Sequence, residues 1–260
     1  MTVPSDHADR EPFLAHHFDT PAQQFFADKL GMWLFLVTEI LLFGGLFVAY
    51  AVYRAAHPEV FQYADQFLSR TLGAINTCIL LVSSLTMAWA VHCAQCNQRR
   101  GLILLLSLTL VCACGFLGIK YVEYRQKWEH GLLWARYYKP VGEHAGAKGD
   151  SPIFAETKIG TVPAVSPAIA LRAELDRVAA AREEKIHARA GKFFSIYFLM
   201  TGLHGIHVLA GMGIITWVLI RSIRCHFSSR YYAPVDNVGL YWHLVDLIWI
   251  YLFPLLYLIH

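Results

Sequence analysis

The sequence predicts an all-α membrane protein, one bundle of five transmembrane helices with its N-terminus inside and its C-terminus outside. Three observations carry this. Of the 260 residues, 56% are hydrophobic and only 16% charged, whereas an average soluble domain is about a quarter charged. The apolar residues gather in five blocks that predict helices at about 30–53, 72–94, 101–125, 192–220 and 238–259. About 20 residues without charge are enough to cross a bilayer, and barrel strands would be shorter and strictly alternating. Finally, Lys and Arg in the short connections are asymmetric, which sets orientation. Arg10, Lys29, Arg99, Arg100, Arg221, Arg224 and Arg230 fall on one side, and Arg54 and Arg70 on the other.

Residues 1–29 are a polar tail without the basic-then-apolar pattern of a signal peptide, so no cleaved leader is expected. The first span carries a single charge, Glu39. A connection of about 20 residues leads to the second span, which ends in HCAQC (92–96). Haem attachment requires C-x-x-C-H, but here His92 precedes Cys93 and Cys96. A zinc site would need two further ligands. Cys78, Cys112 and Cys114 lie within spans and read as packing residues.

The third span continues through IKYVEYRQKWEHGLLW (119–134), whose mix of aromatics with Lys, Arg and Glu is typical of the bilayer interface. The loop at 126–191 begins with a Gly-, Ala-, Pro- and Ser-rich stretch that reads as irregular. It ends in an Ala-, Arg-, Glu- and Leu-rich stretch that predicts a helix at 168–190. Ile169, Leu171, Leu175 and Val178 form a thin apolar stripe on it, suited to a partner surface or to a merely solvated helix. No internal repeat is evident, which weighs against an inverted-repeat transporter. A net charge of +3, dispersed along the chain, indicates no nucleic-acid partner.

An ionisable group in hydrocarbon is costly unless paired, neutralised or hydrated. Glu39, His204, His207 and Asp246 are such groups, and His243 lies nearer a span end. In TGLHGIHVLAG (201–211) the i, i+3 pair of histidines projects from one helix face. With His243 or Glu39 it could complete a metal site. The other reading is hydrogen bonding between helices, with Gly202, Gly205 and Gly211 admitting a close neighbour. Spacing favours the second. Glu39, with no basic residue on its own helix, is expected to act as a proton carrier or as a buried hydrogen-bond donor. Asp246 has His243 one turn back on the same face, and a His243–Asp246 hydrogen bond is expected.

Taken together, the blocks LGMWLFLVTEILLFGGLFVAY, INTCILLVSSLTMAWAVH, GFLGIKYVEYRQKW, FFSIYFLMTGLHGIHVLAG and GLYWHLVDLIWIYLFPLLYLI resemble subunit III of the haem–copper terminal oxidases, in particular cytochrome c oxidase. All five spans match in order, and the chain resembles the five-helix form. The resemblance implies an accessory subunit, itself without haem or copper, in the oxygen-reducing, proton-translocating complex of aerobic respiration. It implies subunit I as direct partner, subunit II and small subunits as further partners, and haem and copper within those partners. A lipid-filled cleft, phospholipid as the only ligand of this chain, and a bacterial inner membrane with a cytoplasmic N-terminus and periplasmic C-terminus also follow.

Residue by residue, Glu39 matches the carbodiimide-reactive carboxylate of the family. His92 resembles histidines near the proton-collecting surface. Arg221, Arg224 and His226 match residues that contact lipid headgroups, while His204, His207, His243 and Asp246 are left as structural polar residues. Quinol-oxidase members often carry Asp where Glu39 stands, which leans the reading towards cytochrome c as donor. Homologues associated with nitric oxide reductase, a self-contained haem or metal protein and a transporter are the alternatives. The 131–190 insertion lies outside the common pattern. On the outer side it could meet cytochrome c or a respiratory supercomplex partner.

Overall fold

A computed structural model describes residues 18–65, 68–129, 167–225, 227 and 231–258. The described residues form six helices. These are α1 (Pro21–Ala56), α2 (Pro58–Asp65), α3 (Arg70–Gln95), α4 (Arg99–Glu129), α5 (Pro167–Ile223) and α6 (Ala233–Tyr257). All except α2 contain a stretch long and apolar enough to cross a membrane.

The helix boundaries follow local chemistry. The Thr20 side chain caps α1 by accepting from the Gln23 N–H at 3.2 Å, with Pro21 in the first turn. At the other end Pro58 disfavours helical geometry for His57, which adopts φ −140° and ψ 59° and stops the helix. The short α2 then begins, an element that the charge-free blocks do not disclose. It buries Val60 and Phe61, with the Phe61 ring edge-on to Tyr50 of α1 and Phe193 of α5. Ser69 caps α3 through the Leu72 N–H. Asn97, at φ 57°, turns the chain from α3 into α4, a left-handed position that asparagine tolerates well.

The expected helix in the second half of the loop is not a separate element. It and the fourth span form the single 57-residue α5, about 85 Å long at helical rise. Only its Arg189–Ile223 part is apolar enough to span a membrane. Leu171, Leu175 and Val178 on the remainder are exposed. Residues 1–17 and 130–166, as well as His226 and Arg230, lie outside the described residues.

The hub of the bundle is α6, with 56% of its apolar window buried, whereas only 11% of that of α1 is buried. Antiparallel pairing of α3 with α6 is fixed by polar contacts at regular steps. Trp242 Nε1–H donates to Ser83 Oγ at 2.9 Å, Ser84 Oγ meets His243 Nδ1 at 2.7 Å, and Trp249 Nε1–H donates to Thr77 Oγ1 at 3.1 Å. Gly211 of α5 lies against the Trp242 ring so closely that a Cβ there would sit 2.8 Å from it. Two further ties hold the end that carries the α3–α4 turn. Lys29 of α1 pairs with Asp236 of α6, and the Arg99 guanidinium donates to the Ser222 and Ile223 carbonyls at the end of α5.

Candidate functional site

Two polar centres stand out inside the apolar frame. In the first, Glu39 Oε2 of α1 lies 2.9 Å from His207 Nε2 of α5. His207 Nδ1 donates to the Leu203 carbonyl at 2.8 Å; because a carbonyl only accepts, Nδ1 carries the hydrogen. Its Nε2 therefore shares with Glu39 a single proton, held either on the carboxyl or on the imidazole. Phe43 covers the imidazole edge-on at 5.2 Å, and Tyr241 donates to the His207 carbonyl at 3.0 Å. Both side chains keep about 15% exposure, so the pair sits at the rim of the helix bundle. Glu39, which has no basic residue on its own helix, thus finds its partner on another helix, 168 residues along the chain.

Beside this pair is a largely apolar groove between α1, α5 and α6, lined by Met32, Phe35, Ala210, Ile214, Val238 and Tyr241 together with Asn237. Helix α1 packs more on α6 than on α5, and the groove lies where the three meet.

The second centre was not singled out in the sequence. Lys120, Glu123 and Lys127 are buried, at 3–7% exposure. Glu123 Oε1 accepts from Lys127 at 2.8 Å, from Tyr257 at 2.6 Å and from Tyr197 at 2.9 Å, and its Oε2 accepts from Lys120 at 2.8 Å. Each lysine also donates to a tyrosine hydroxyl, Lys120 to Tyr257 at 2.7 Å and Lys127 to Tyr197 at 2.6 Å. The ammonium groups lie over aromatic rings, Lys120 over Trp249 at 4.4 Å and Lys127 over Tyr197 at 3.8 Å. One carboxylate thereby joins α4, α5 and α6, and its four donors leave little of its acceptor capacity unused. The signal was present: Lys-x-x-Glu-x-x-x-Lys at i, i+3 and i+7 lies on one helix face.

The remaining candidates are dispersed. His204 and His207 do not act together. The His204 ring lies between Phe116 (5.7 Å) and Trp249 (5.4 Å), and neither of its nitrogens has a hydrogen-bond partner. The expected His243–Asp246 bond does not form. Ser84 on the facing helix takes the bond to His243 at 2.7 Å and lies within reach of the Asp246 carboxyl as well. Hydrogen bonding between helices therefore describes His207 and His243 but not His204. Of the three glycines noted on this helix, only Gly211 meets a close neighbour; a Cβ on Gly202 or Gly205 would meet nothing within 4 Å.

His92 is exposed in the last turn of α3, with Nε2 3.6 Å from Cys96 Sγ, and Cys93 is buried against Gly101. The Arg221 guanidinium lies over the Trp217 ring at 4.9 Å, and Arg224 is exposed one turn on. Among the described residues, no three His, Cys, Asp or Glu side chains converge.

A polytopic all-α protein with carboxylates and histidines set in its spans is the class these observations define. Comparison with known proteins narrows it. The family model described as cytochrome c oxidase subunit III matches residues 9–130 and 182–260. A cytochrome c oxidase subunit 3 of Thermostichus vulcanus is 27% identical over 231 residues, covering 88% of this chain and 86% of that one. The namesake proteins of Formosania lacustris and Struthio camelus are 25% and 23% identical, over 95% and 94% of this chain and 75% and 73% of theirs. The chain belongs to the cytochrome c oxidase subunit III family, and hence to a membrane-bound respiratory oxidase complex.

Proposed function

We propose that this chain is the accessory subunit III of a proton-translocating cytochrome c oxidase that reduces oxygen to water. In this reading it binds no haem or copper of its own, packs directly on subunit I, and sustains proton uptake and turnover. The observation that carries it is the family match, which runs through all five apolar spans and breaks only at 131–181.

Three further features support the details. The Glu39–His207 pair holds one exchangeable proton at the rim of the bundle, which suits a residue that assists proton supply to a neighbouring subunit. The apolar groove beside it suits the acyl chain of a phospholipid. Arg221 and Arg224, at the end that carries the α3–α4 turn, suit its anionic headgroup. The Lys and Arg distribution orients that end, and with it His92 and the N-terminus, towards the cytoplasm of a bacterial inner membrane. The C-terminus and the 131–190 insertion are then periplasmic, where the insertion could meet cytochrome c or a supercomplex partner.

The test is an oxidase complex prepared with and without this chain. Removal should leave initial oxygen reduction intact and shorten the number of turnovers before inactivation. Reconstitution with Glu39→Ala should recover that lifetime only in part. An unchanged lifetime without the chain rejects the reading.

A further inference from the structure

A cleft opens at the end of the bundle opposite the α3–α4 turn, between the turn from α1 into α2 and the outward extension of α5. His57, Pro58 and Glu59 form one wall, and Arg182, Lys185 and Arg189 the other. The three cations recur at i, i+3 and i+7, which puts them on one face of α5. Below them α2 packs on α5, with the Phe61 and Phe193 rings edge-on at 5.0 Å.

Both walls are held in place. The Tyr53 hydroxyl of α1 donates to the Arg189 carbonyl at 3.2 Å, and the Tyr53 ring meets the His57 imidazole edge-on at 5.0 Å. Across the cleft Arg182 pairs with Glu59 at 3.0 Å. The space between the walls is about 120 Å³, several times the ~10–15 Å³ that one water requires. It admits a group larger than water.

Charge decides which group. Glu59 is the one carboxylate of the lining, and Arg182 already neutralises it. With His57 neutral, Lys185 and Arg189 remain as a surplus of positive charge one helical turn apart. Like charges at i, i+4 repel, and an anion between them turns that repulsion into attraction. An ammonium beside a planar guanidinium fork suits a phosphate, which accepts charge-assisted hydrogen bonds from both.

Depth decides where that phosphate comes from. Arg189 is the first residue of the α5 segment able to cross a membrane, and the α1 segment ends at Ala56. Lys185 lies about 6 Å further out along the axis, and the headgroup layer is about 5–8 Å deep on each side of the hydrocarbon. Both surplus cations therefore stand at the level of lipid phosphates, beside an aromatic ring of the kind that marks that level, Tyr53.

We propose that this cleft is a phosphate site that takes the headgroup of an anionic phospholipid, held by Lys185 and Arg189. It lies at the membrane face opposite Arg221 and Arg224 and ties the α5 extension to the bilayer surface.

Native mass spectrometry of the membrane complex that carries this chain, stripped of lipid in detergent, tests it. Phosphatidylglycerol, phosphatidylcholine and inorganic phosphate are added separately to the wild type and to a Lys185→Gln/Arg189→Gln variant. Both side chains are exposed, and the Arg189 carbonyl that Tyr53 holds is kept. The wild type should retain one more phosphatidylglycerol than the variant and saturate at a severalfold lower concentration. Phosphatidylcholine should be retained equally by the two. Lys185→Gln alone should shift saturation in the same direction, which keeps the test open if the double variant does not assemble. Equal retention of phosphatidylglycerol by wild type and variants, or an equal excess with phosphatidylcholine, overturns the proposal. A difference that inorganic phosphate reproduces and phosphatidylglycerol does not assigns the cleft to a free ion and overturns the lipid source.

Discussion

Glu39 and His207 face each other at 2.9 Å across α1 and α5, a side-chain tie between α5 and the least buried span that the Tyr53 hydroxyl, donating to the Arg189 carbonyl, supplements further along. Polar pairs between membrane helices contribute on average about 0.6 kcal/mol and at most about 1.7 kcal/mol. A double-mutant cycle of Glu39→Ala and His207→Ala, read by unfolding in detergent, should give a coupling energy in that range. A coupling of zero would mean that the pair does not hold α1 in place.

Glu123 is the common acceptor for two buried lysines and two buried tyrosines. Glu123→Leu leaves both cations without a counter-charge, and breaking a buried pair in this way costs about 3–5 kcal/mol. The variant should accumulate poorly and lose heat stability. Replacing Lys120, Glu123 and Lys127 together by apolar residues should be much less damaging, because no charge is then stranded. Both are measured by the amount of folded chain in the membrane and by thermal unfolding.

Gly211 and Gly202 sit on the same helix in opposite situations. A Cβ at Gly211 would press to 2.8 Å against Trp242, while one at Gly202 would meet nothing within 4 Å. Overpacking of this kind costs about 1–3 kcal/mol. In the isolated chain Gly211→Ala should lower the unfolding temperature, and Gly202→Ala should leave it unchanged.

Arg99 closes the C-terminal end of α5 by donating to the Ser222 and Ile223 carbonyls. Hydrogen bonds from charged groups contribute about 1.5–3 kcal/mol. Arg99→Ala should raise amide hydrogen exchange over the last turn of α5, with little change elsewhere. Arg99→Lys should restore only part of the protection, since an ammonium lacks the planar fork.

The five spans were legible because crossing a bilayer demands long charge-free segments, and these stand out in any chain. Their extent was less legible. Helices run past the apolar blocks wherever capping permits, as Thr20 and Ser69 do, and α2 is too short to register by hydropathy. Glu39 was legible as a candidate and the His204–His207 pair as a possible neighbour, but not which histidine it meets: pairing with His207 depends on how two distant helices are rotated against each other. By composition the Lys120–Glu123–Lys127 stretch is that of a bilayer interface, although its spacing lies on one face. Composition alone does not tell whether that face meets headgroups or a neighbouring helix. For His243 the near neighbour in sequence, Asp246, lost to Ser84 on the facing helix, because interhelical packing controls which way each side chain turns.

The most direct measurement purifies this chain by an affinity tag in mild detergent, with mass spectrometry and a visible spectrum taken on the same fractions. A haem–copper subunit I should co-elute at equal stoichiometry, with a haem spectrum that leaves with that subunit when the tagged chain is dissociated. A chain that elutes without any haem–copper subunit, or a haem band that follows this chain after dissociation, would contradict the proposed function.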